Sequence, residues 1–287
     1  MGNDRESGQV TNEVTANAKL NLTLAVLGLR DDAYHELEAL TVNISDPHDV
    51  VTVTTTSTET VELSVSGNSD DVPIDDSNLA VRAARAVLPP GVGARIELRK
   101  GVPTGAGLGG GSADAAAVLR VLGDLLDLDS QLVAMAAREI GSDVPFCLSG
   151  VPAWMKGRGE VIEPVDVRGS FFVLIAKPPF SLHTPWVYRA WDDLGGPTSV
   201  REVAAPSAVA HLVEVAKNDL EAAAEHVEPR LRPFREAIEI SARAPSVLAG
   251  SGSSYWIPFD DQEEAERARA NVGELPGVHV WLGAVCL

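Results

Sequence analysis

The sequence has 287 residues, of which 45% are hydrophobic and 22% charged, so it can bury a sizeable core and form about two domains. The 41 acidic residues outnumber the 23 basic ones and give a formal net charge of −18, which disfavours nucleic acid as a partner and indicates a solvated acidic surface. The sequence contains no long apolar run, its polar N-terminus is unlike a secretory signal, and its two cysteines cannot form a disulfide framework, so we expect a soluble cytoplasmic protein with no membrane association.

The first part of the chain is predicted to be rich in strands. Apolar residues alternate with Lys19, Asn21 and Thr23 over residues 17–30, which indicates a half-buried strand with those three polar side chains on one face. Ser77 is placed to cap a helix over the residues that follow it, 78–88, which two prolines end. Three further β-rich segments look antiparallel and lie at residues 50–56, 60–66 and 94–99.

Two helices are predicted after a glycine-rich segment. Residues 113–126 place alanine, valine and leucine at helical spacing, which indicates an amphipathic helix that begins where the glycines end. The next helix is predicted over residues 130–140, with Asp129 or Ser130 as its N-cap and Gly141 as its C-cap.

Turn-forming residues indicate a domain boundary near position 168, so we predict an N-terminal domain over residues 1–168 and a C-terminal domain over residues 169–287. Because strands and helices occur in blocks rather than in strict alternation, the predicted class is α+β. The C-terminal part is predicted to contain strands at 171–176, 255–259 and 278–285 and helices at 207–216, 219–226 and 229–242.

The glycine-rich segment PTGAGLGGGSADAAAVL begins at Pro103. Glycine lets a backbone approach a ligand closely and adopt positive φ, and the first turn of the helix that follows has unpaired N–H groups at the positive end of its dipole. The segment therefore predicts a phosphate-binding loop at a helix start, although it is neither a Walker A sequence nor a dinucleotide fingerprint. The alternative interpretation is a flexible linker.

Lys19 and Asp143 are the candidates for chemistry. Asp143 follows the predicted helix C-cap, so its carboxylate is expected to point from a loop into a cleft, and Lys19 is a lone lysine on an otherwise apolar strand. In phosphoryl transfer, a carboxylate can accept the proton of the attacking hydroxyl and a lysine can stabilise developing charge. Taken singly, Asp143 could instead be a surface cap, and Lys19 a residue whose stem covers apolar surface.

Two further segments have suggestive patterns. Tyr34 and His35 could stack on a base and hydrogen-bond its edge, or could simply pack in a loop. The segment LAGSGSSYW, residues 248–256, is a glycine turn before a predicted strand, and it could be a hairpin or an anion-binding nest of backbone amides.

Together these segments resemble the GHMP kinase superfamily, which includes galactokinase, homoserine kinase and mevalonate kinase. PTGAGLGGGSADAAA resembles its second, ATP-binding motif and LAGSGSS its third. More narrowly, NAKLNLTL, DDAYHEL, GAGLGGGSADAA, GSDVPF and TPWVY resemble, in order and spacing, the members that phosphorylate 4-diphosphocytidyl-2-C-methyl-D-erythritol in non-mevalonate isoprenoid synthesis. The resemblance covers roughly residues 15–285.

The resemblance implies a role for each matching residue. Asp143 would be the catalytic base, and Lys19 would place and activate the 2-hydroxyl of the substrate. That substrate would be held by Asn21 at the methylerythritol, by His35 at the cytosine edge, by Tyr34 and Tyr188 on the two cytosine faces, and by Thr184 near the diphosphate. The ATP phosphates would be wrapped by Pro103, Thr104, Gly105, Ala106, Gly107, Leu108, Gly109, Gly110, Gly111, Ser112 and Ala113. The family usually has glycine where Ala33 stands, so the backbone is expected to differ slightly there.

The same resemblance implies a two-domain GHMP kinase fold, with an N-terminal domain like the second domain of ribosomal protein S5, containing a left-handed βαβ crossover, and a ferredoxin-like C-terminal domain. ATP would be the co-substrate together with Mg²⁺, for which Ser112 is a candidate ligand and no acidic partner is identified. The protein would be a monomer or a homodimer acting on a small molecule. The alternatives are another small-alcohol kinase of the superfamily, of homoserine or mevalonate type, and a catalytically silent nucleotide-binding sensor.

Overall fold

The computed structural model describes residues 10–68, 71–167, 171–196 and 209–286, without the side chains of residues 209–211. Over these residues the chain is a mixture of helices and strands, which confirms the α+β class. The strands are β1 (Thr11–Asn21), β2 (Ala25–Leu29), β3 (His35–Thr56), β4 (Val61–Gly67), β5 (Gly93–Lys100), β6 (Ala153–Gly157), β7 (Val161–Pro164), β8 (Phe172–Lys177), β9 (Val247–Leu248), β10 (Tyr255–Phe259) and β11 (His279–Cys286). The helices are α1 (Leu79–Val87), α2 (Gly110–Leu126), α3 (Ser130–Ile140), α4 (Val144–Ser149), α5 (Thr184–Asp193), α6 (Val209–Val215), α7 (Glu221–Val227), α8 (Leu231–Ala242) and α9 (Gln262–Gly273).

The chain divides into two compact units that interleave along the sequence. The first unit comprises Met1–Asn17, His48–Thr104 and Gly110–Ser149, and the second comprises Ala18–Pro47, Gly105–Gly109 and Gly150–Leu287. The boundary that the sequence predicts near residue 168 falls on residues outside those described, and the division into 1–168 and 169–287 stays a prediction.

In the first unit, β5 lies between the end of β3 and β4. Its partner β3 runs antiparallel to it, but β4 is parallel, so the prediction of antiparallel strands was wrong for this pair. The reason is the connection, because α1 lies between β4 and β5 in the chain and forms a βαβ unit with them. The core forms where α1 packs against α2 and where Ile96 and Leu98 of β5 are buried.

The second unit contains two runs of paired strands. One run places β2 and β6 against the first part of β3 and pairs β6 with β7. In the other run β11, β8, β10 and β9 are antiparallel neighbours, and β11 also pairs with β3 at Ile44. Every residue of β10 is buried, including Tyr255 and Trp256, because α9 also packs against this strand.

Several predicted boundaries needed correction. The single strand expected over residues 17–30 is broken between Asn21 and Ala25, since Leu24 bonds instead to the backbone around Asn218. The N-cap of α1 is Asn78 rather than Ser77, because the Ser77 hydroxyl already donates to Asp75 at 2.6 Å while Asn78 Oδ1 accepts from the Ala80 N–H.

Other elements were missed or begin elsewhere. The helix α2 begins at Gly110, three residues before the predicted start, and α3 begins and ends as predicted with Asp129 as its N-cap. Of the helix expected at 207–216, the first two residues lie outside those described. Elements that the sequence analysis did not predict are α4, α5, α9, β2 as a separate strand, the first part of β3, β6, β7 and β9.

Candidate active site

Three residues of the glycine loop, residues 105–109, have backbone conformations that favour glycine. Gly105, Gly107 and Gly109 have φ values of 62°, 77° and 67°, in the left-handed region. A Cβ on Gly109 would lie 2.7 Å from Cγ of Lys19, and the Lys19 backbone N–H donates to the carbonyl oxygen of Leu108 at 3.0 Å. The loop is therefore packed directly on β1 at the candidate catalytic lysine, and these contacts are not those of a flexible linker.

Residues 248–254, the segment LAGSGSS that resembles the third GHMP motif, pack against the same loop. This segment is called the third glycine segment. A Cβ on Gly107 would overlap the carbonyl oxygen of Ala249, and the Ser253 N–H donates to the carbonyl oxygen of Gly105 at 3.0 Å. The hairpin interpretation of this segment is confirmed, since Leu248 and Tyr255 are paired antiparallel on either side of it. The two glycine segments thus form one packed structure in the second unit.

The glycine loop continues into α2, which belongs to the first unit. Because the leading N–H groups of a helix have no partner within it, the first turn of this 17-residue helix can bind an anion. Gly110 lies close to a neighbouring segment, since a Cβ there would be 2.9 Å from Cγ1 of Val102. Of the predicted ATP-binding residues, Pro103, Thr104 and Gly110 to Ala113 belong to this unit and Gly105 to Gly109 to the other.

A buried charge cluster that the sequence analysis missed supports the start of α2. Lys100 Nζ donates to the carboxylates of both Asp49 and Asp114, and the other oxygen of Asp49 accepts from the backbone N–H groups of Gly101 and Val102 at 2.7 and 2.8 Å. Burial raises the pKa of Asp114 to about 7, although the Lys100 ammonium opposes the shift. One lysine between two carboxylates leaves one negative charge unbalanced, so a proton on Asp114 completes the cluster. No sequence signal placed these three residues together, because they come from β3, β5 and α2.

The predicted catalytic residues lie in different units. In the second unit, Lys19 Nζ donates to Oδ1 of Asn21 at 2.6 Å, and Asn21 Nδ2 donates to Oγ1 of Thr41 at 2.8 Å, with all three side chains buried. In the first unit, Asp143 lies between α3 and α4, and its backbone carbonyl accepts from the Cys147 N–H at 3.1 Å. The loop expected after Asp143 is therefore the first turn of a short helix. A pairing of Lys19 with Asp143 stays a prediction.

His35 is fixed by three residues of α5. Its ring stacks on Tyr188 with centroids 4.8 Å apart, meets Trp191 edge to face at 5.6 Å, and places Nε2 2.8 Å from Oδ1 of Asp192. His35 and Tyr188 are predicted site residues, whereas Trp191 and Asp192 were not predicted from the sequence. The signal was available, since Tyr188 and Asp192 are four residues apart and share a helix face, but no helix was predicted there.

Tyr34 and Thr184 are also held by residues that the sequence did not single out. The guanidinium of Arg158 lies 4.9 Å from the centre of the half-exposed Tyr34 ring. Thr184, at the start of α5, shares a 2.8 Å hydrogen bond with the hydroxyl of Ser251 in the third glycine segment. The second unit therefore links its predicted substrate-binding and phosphate-binding segments through direct contacts.

Comparison with known proteins places this geometry in a family. Residues 78–151 match the family model "GHMP kinases N terminal domain". A protein of Cereibacter sphaeroides named 4-diphosphocytidyl-2-C-methyl-D-erythritol kinase is 37% identical over 265 residues, covering 89% of this chain and 92% of its own. One of Cutibacterium acnes with the same name is 35% identical over 94% of this chain and 93% of its own. The chain belongs to the 4-diphosphocytidyl-2-C-methyl-D-erythritol kinase family.

A solved structure of the 4-diphosphocytidyl-2-C-methyl-D-erythritol kinase family supports the fold. The crystal structure of 4-(cytidine 5'-diphospho)-2C-methyl-D-erythritol kinase superposes with a TM-score of 0.79 at 31% identity, covering 96% of this chain and 99% of that one. Homoserine kinase from Cytophaga hutchinsonii has a TM-score of 0.70 at 17% identity over 99% of this chain and 97% of its own, a likeness of fold. The predicted two-domain GHMP kinase fold is confirmed at this level, and the left-handed crossover stays a prediction.

Ala33 has an unusual backbone conformation. Its φ is 63°, in the left-handed region that L side chains rarely occupy. The backbone at this point therefore has a conformation suited to glycine while carrying an alanine, and the expected difference from the family stays a prediction.

Among the described residues, no group of three or more histidine, cysteine, aspartate or glutamate side chains could hold a metal. Magnesium is commonly bound by substrate phosphates with few protein ligands, and the Ser112 hydroxyl in the first turn of α2 is suited to be one.

Over the described parts of the chain, helices are all too short or too polar to cross a bilayer.

Proposed function

We propose that the chain transfers the γ-phosphoryl group of ATP to the 2-hydroxyl of 4-diphosphocytidyl-2-C-methyl-D-erythritol, a step of non-mevalonate isoprenoid synthesis. Membership of the kinase family carries the proposal, since curated members are 37% and 35% identical over most of this chain. The packed glycine segments and the helix start that follows them agree with it, because they provide an anion site built from backbone. Such a site binds polyphosphate despite a net charge of −18.

Asp143 and Lys19 have the chemistry that the reaction needs. As the oxygen of the 2-hydroxyl bonds to the γ-phosphorus, its proton passes to the Asp143 carboxylate, and the bond to the β–γ bridging oxygen breaks to release ADP. Lys19 stabilises the developing negative charge, and the hydrogen bond from its Nζ to Asn21 orients the ammonium. Lys19 also holds the glycine loop through its backbone N–H. One residue is therefore proposed to contact both the ATP-binding loop and the reacting hydroxyl.

His35, Tyr34, Tyr188 and Thr184 are proposed to hold the cytidine diphosphate part of the substrate, with Asn21 at the sugar alcohol. The cluster of His35, Tyr188, Trp191 and Asp192 supports a nucleobase site, since it combines aromatic faces with an oriented imidazole. Homoserine and mevalonate have no nucleobase that could stack on these rings.

Residues Pro103 to Ala113 are proposed to bind the ATP phosphates, with Mg²⁺ held by those phosphates and by Ser112. Bound there, the ion would neutralise phosphate charge during transfer. We also propose that residues 1–168 and 169–287 are the two domains of the family, since the matched N-terminal family region of residues 78–151 lies within the first. Cytoplasmic location and a monomeric or homodimeric state remain predictions.

Release of ADP tests the function. Purified protein is mixed with Mg-ATP and, separately, with 4-diphosphocytidyl-2-C-methyl-D-erythritol, homoserine or mevalonate. We expect ADP formation with the first substrate alone and a phosphomonoester at its 2-position by phosphorus NMR. ADP formed with homoserine or mevalonate instead would indicate another superfamily activity, and nucleotide binding without ADP from any alcohol would indicate a silent sensor.

A further inference from the structure

Asn218, which no motif of the sequence analysis includes, holds the third glycine segment by its backbone. Its Nδ2 donates to the carbonyl oxygens of Leu248 and Gly250 at 2.8 and 2.6 Å, and its Oδ1 accepts from the Leu220 N–H at 2.9 Å. The side chain thus uses two donors and one acceptor. Among side chains of this length only asparagine offers that set, because aspartate has no donor when ionised.

The segment that Asn218 holds is the one that packs on the glycine loop. Gly250 lies next to Gly107, since a Cβ added to Gly250 would be 2.8 Å from the Gly107 carbonyl oxygen. The carbonyl oxygen of Ala249 fills the space that a Cβ on Gly107 would need. Ser253 adds its hydrogen bond to Gly105. A shift of the Gly250 carbonyl is therefore transmitted to the loop directly, because there is no free space between the two backbones.

The residues on either side of Asn218 hold the chain that follows β1. The Leu24 N–H donates to the carbonyl oxygen of Lys217 at 2.9 Å, the Asp219 N–H donates to the carbonyl oxygen of Leu24 at 3.0 Å, and the Asp219 carboxylate accepts from the Val26 N–H at 3.1 Å. Because β1 carries Lys19, which itself bonds to Leu108, the contacts form a closed ring. The ring runs from β1 to the glycine loop, to the third glycine segment, to Asn218 and back to β1.

We propose that Asn218 is a positioning residue for ATP: by joining the third glycine segment to the chain after β1, it sets the place of the glycine loop relative to Lys19. The proposal rests on the proposed function, since it assigns the loop to ATP. It predicts that loss of the two Asn218 donors weakens ATP binding more than binding of the cytidine substrate. The loop moves, whereas His35 keeps its contacts with α5, and among the residues proposed to hold the cytidine substrate it is Thr184 that bonds to the third glycine segment.

Asn218→Asp tests the proposal, with Asn271→Asp as a matched control. Asn271 also donates its Nδ2 to a backbone carbonyl, that of Ser241 at 3.3 Å, but on the exposed surface of α9. We expect the KM for ATP to rise about tenfold in Asn218→Asp, equivalent to about 1.4 kcal/mol, with the KM for the cytidine substrate changed less than about twofold. Asn271→Asp is expected to leave both values as in the wild type.

A purely structural role gives a different result. In that case Asn218→Asp would lower the melting temperature. At temperatures where the variant is folded, it would either raise the KM values for both substrates or leave both unchanged. Either result would overturn the proposal. Asn218→Ala removes both donors without adding a charge, and it serves if Asn218→Asp does not fold. Calorimetric titration with a non-hydrolysable ATP analogue measures the same selective loss without turnover. Wild-type protein that binds the analogue but releases no ADP would therefore contradict the proposed function and leave the Asn218 proposal intact for testing.

Discussion

Lys19 Nζ donates a hydrogen bond of 2.6 Å to Oδ1 of Asn21, two residues further along the same strand. Side chains two residues apart lie on the same face of a strand, so the alternation seen in the sequence placed both on one side of β1. The amide then holds the ammonium without neutralising it, because Asn21 is itself fixed by its bond to Thr41. A charged donor in a fixed position is suited to stabilise a transition state.

Replacement of Lys19 by methionine tests this role. Lys19→Met keeps the length of the side chain and removes its charge, so we expect kcat to fall by about 10²–10³, the range for losing one preorganised donor. The KM for ATP is expected to change little, since the backbone N–H that holds Leu108 is retained. Lys156→Met, which removes an exposed lysine paired with Glu163, is the control, and an equal loss of kcat there would contradict the assignment.

Asp143→Asn tests the catalytic base. The amide cannot accept the hydroxyl proton, so turnover is expected to fall by about two to four orders of magnitude while nucleotide binding stays nearly intact. Asp129→Asn is the control in the same unit, because asparagine also serves as the N-cap of α3. Steady-state kinetics and calorimetric titration measure the two effects, and near-normal turnover in Asp143→Asn would refute the role.

The contact between His35 and Asp192 predicts an effect on substrate binding. Asp192→Asn keeps the size of the side chain but weakens its hydrogen bond to the imidazole, so the KM for the cytidine substrate is expected to rise by about three- to tenfold, a loss of about 1 kcal/mol. His35→Ala is expected to raise the same KM further, and neither change should alter the KM for ATP. Asp193→Asn, one residue on and exposed, is the control. An unchanged substrate KM in His35→Ala would exclude the proposed base contact.

The buried cluster around Lys100 predicts a pH dependence of stability. The folded pKa of Asp114 is about 7, above the ordinary pKa of 3.8 for an aspartate, so the folded state binds the proton more tightly than the unfolded state does. The stabilisation that this proton gives is complete below about pH 4 and is lost as the pH rises to about 7. Asp114→Asn is always neutral and lacks this contribution. Urea titrations from pH 4 to 8 should therefore show a steeper decline for the wild type than for the variant, and parallel curves would contradict the shifted pKa.

The sequence alone determined the elements whose signals are local. Five glycines before an amphipathic run indicate a loop and a helix start, because glycine and the unpaired N–H groups act within a few residues. Alternation placed Lys19 and Asn21 on one face of a strand, and the family motifs then assigned them roles. The class and the family relationship followed from these local patterns, as did the prediction that residues 103–113 bind ATP.

The tertiary structure decided what depends on distant contacts. Two sets of contacts join residues that are far apart in the chain: those of Lys100 with Asp49 and Asp114, and those of His35 with α5. The spacing of residues along the sequence does not indicate which distant segments come into contact. Asn218 lies in a segment with no motif, and its importance appears only where its amide meets the carbonyl oxygens of Leu248 and Gly250. Hydrogen bonds between segments distant in the chain depend on how the whole unit packs, which is why local pattern could name the glycine loop but not the residue that holds it in place.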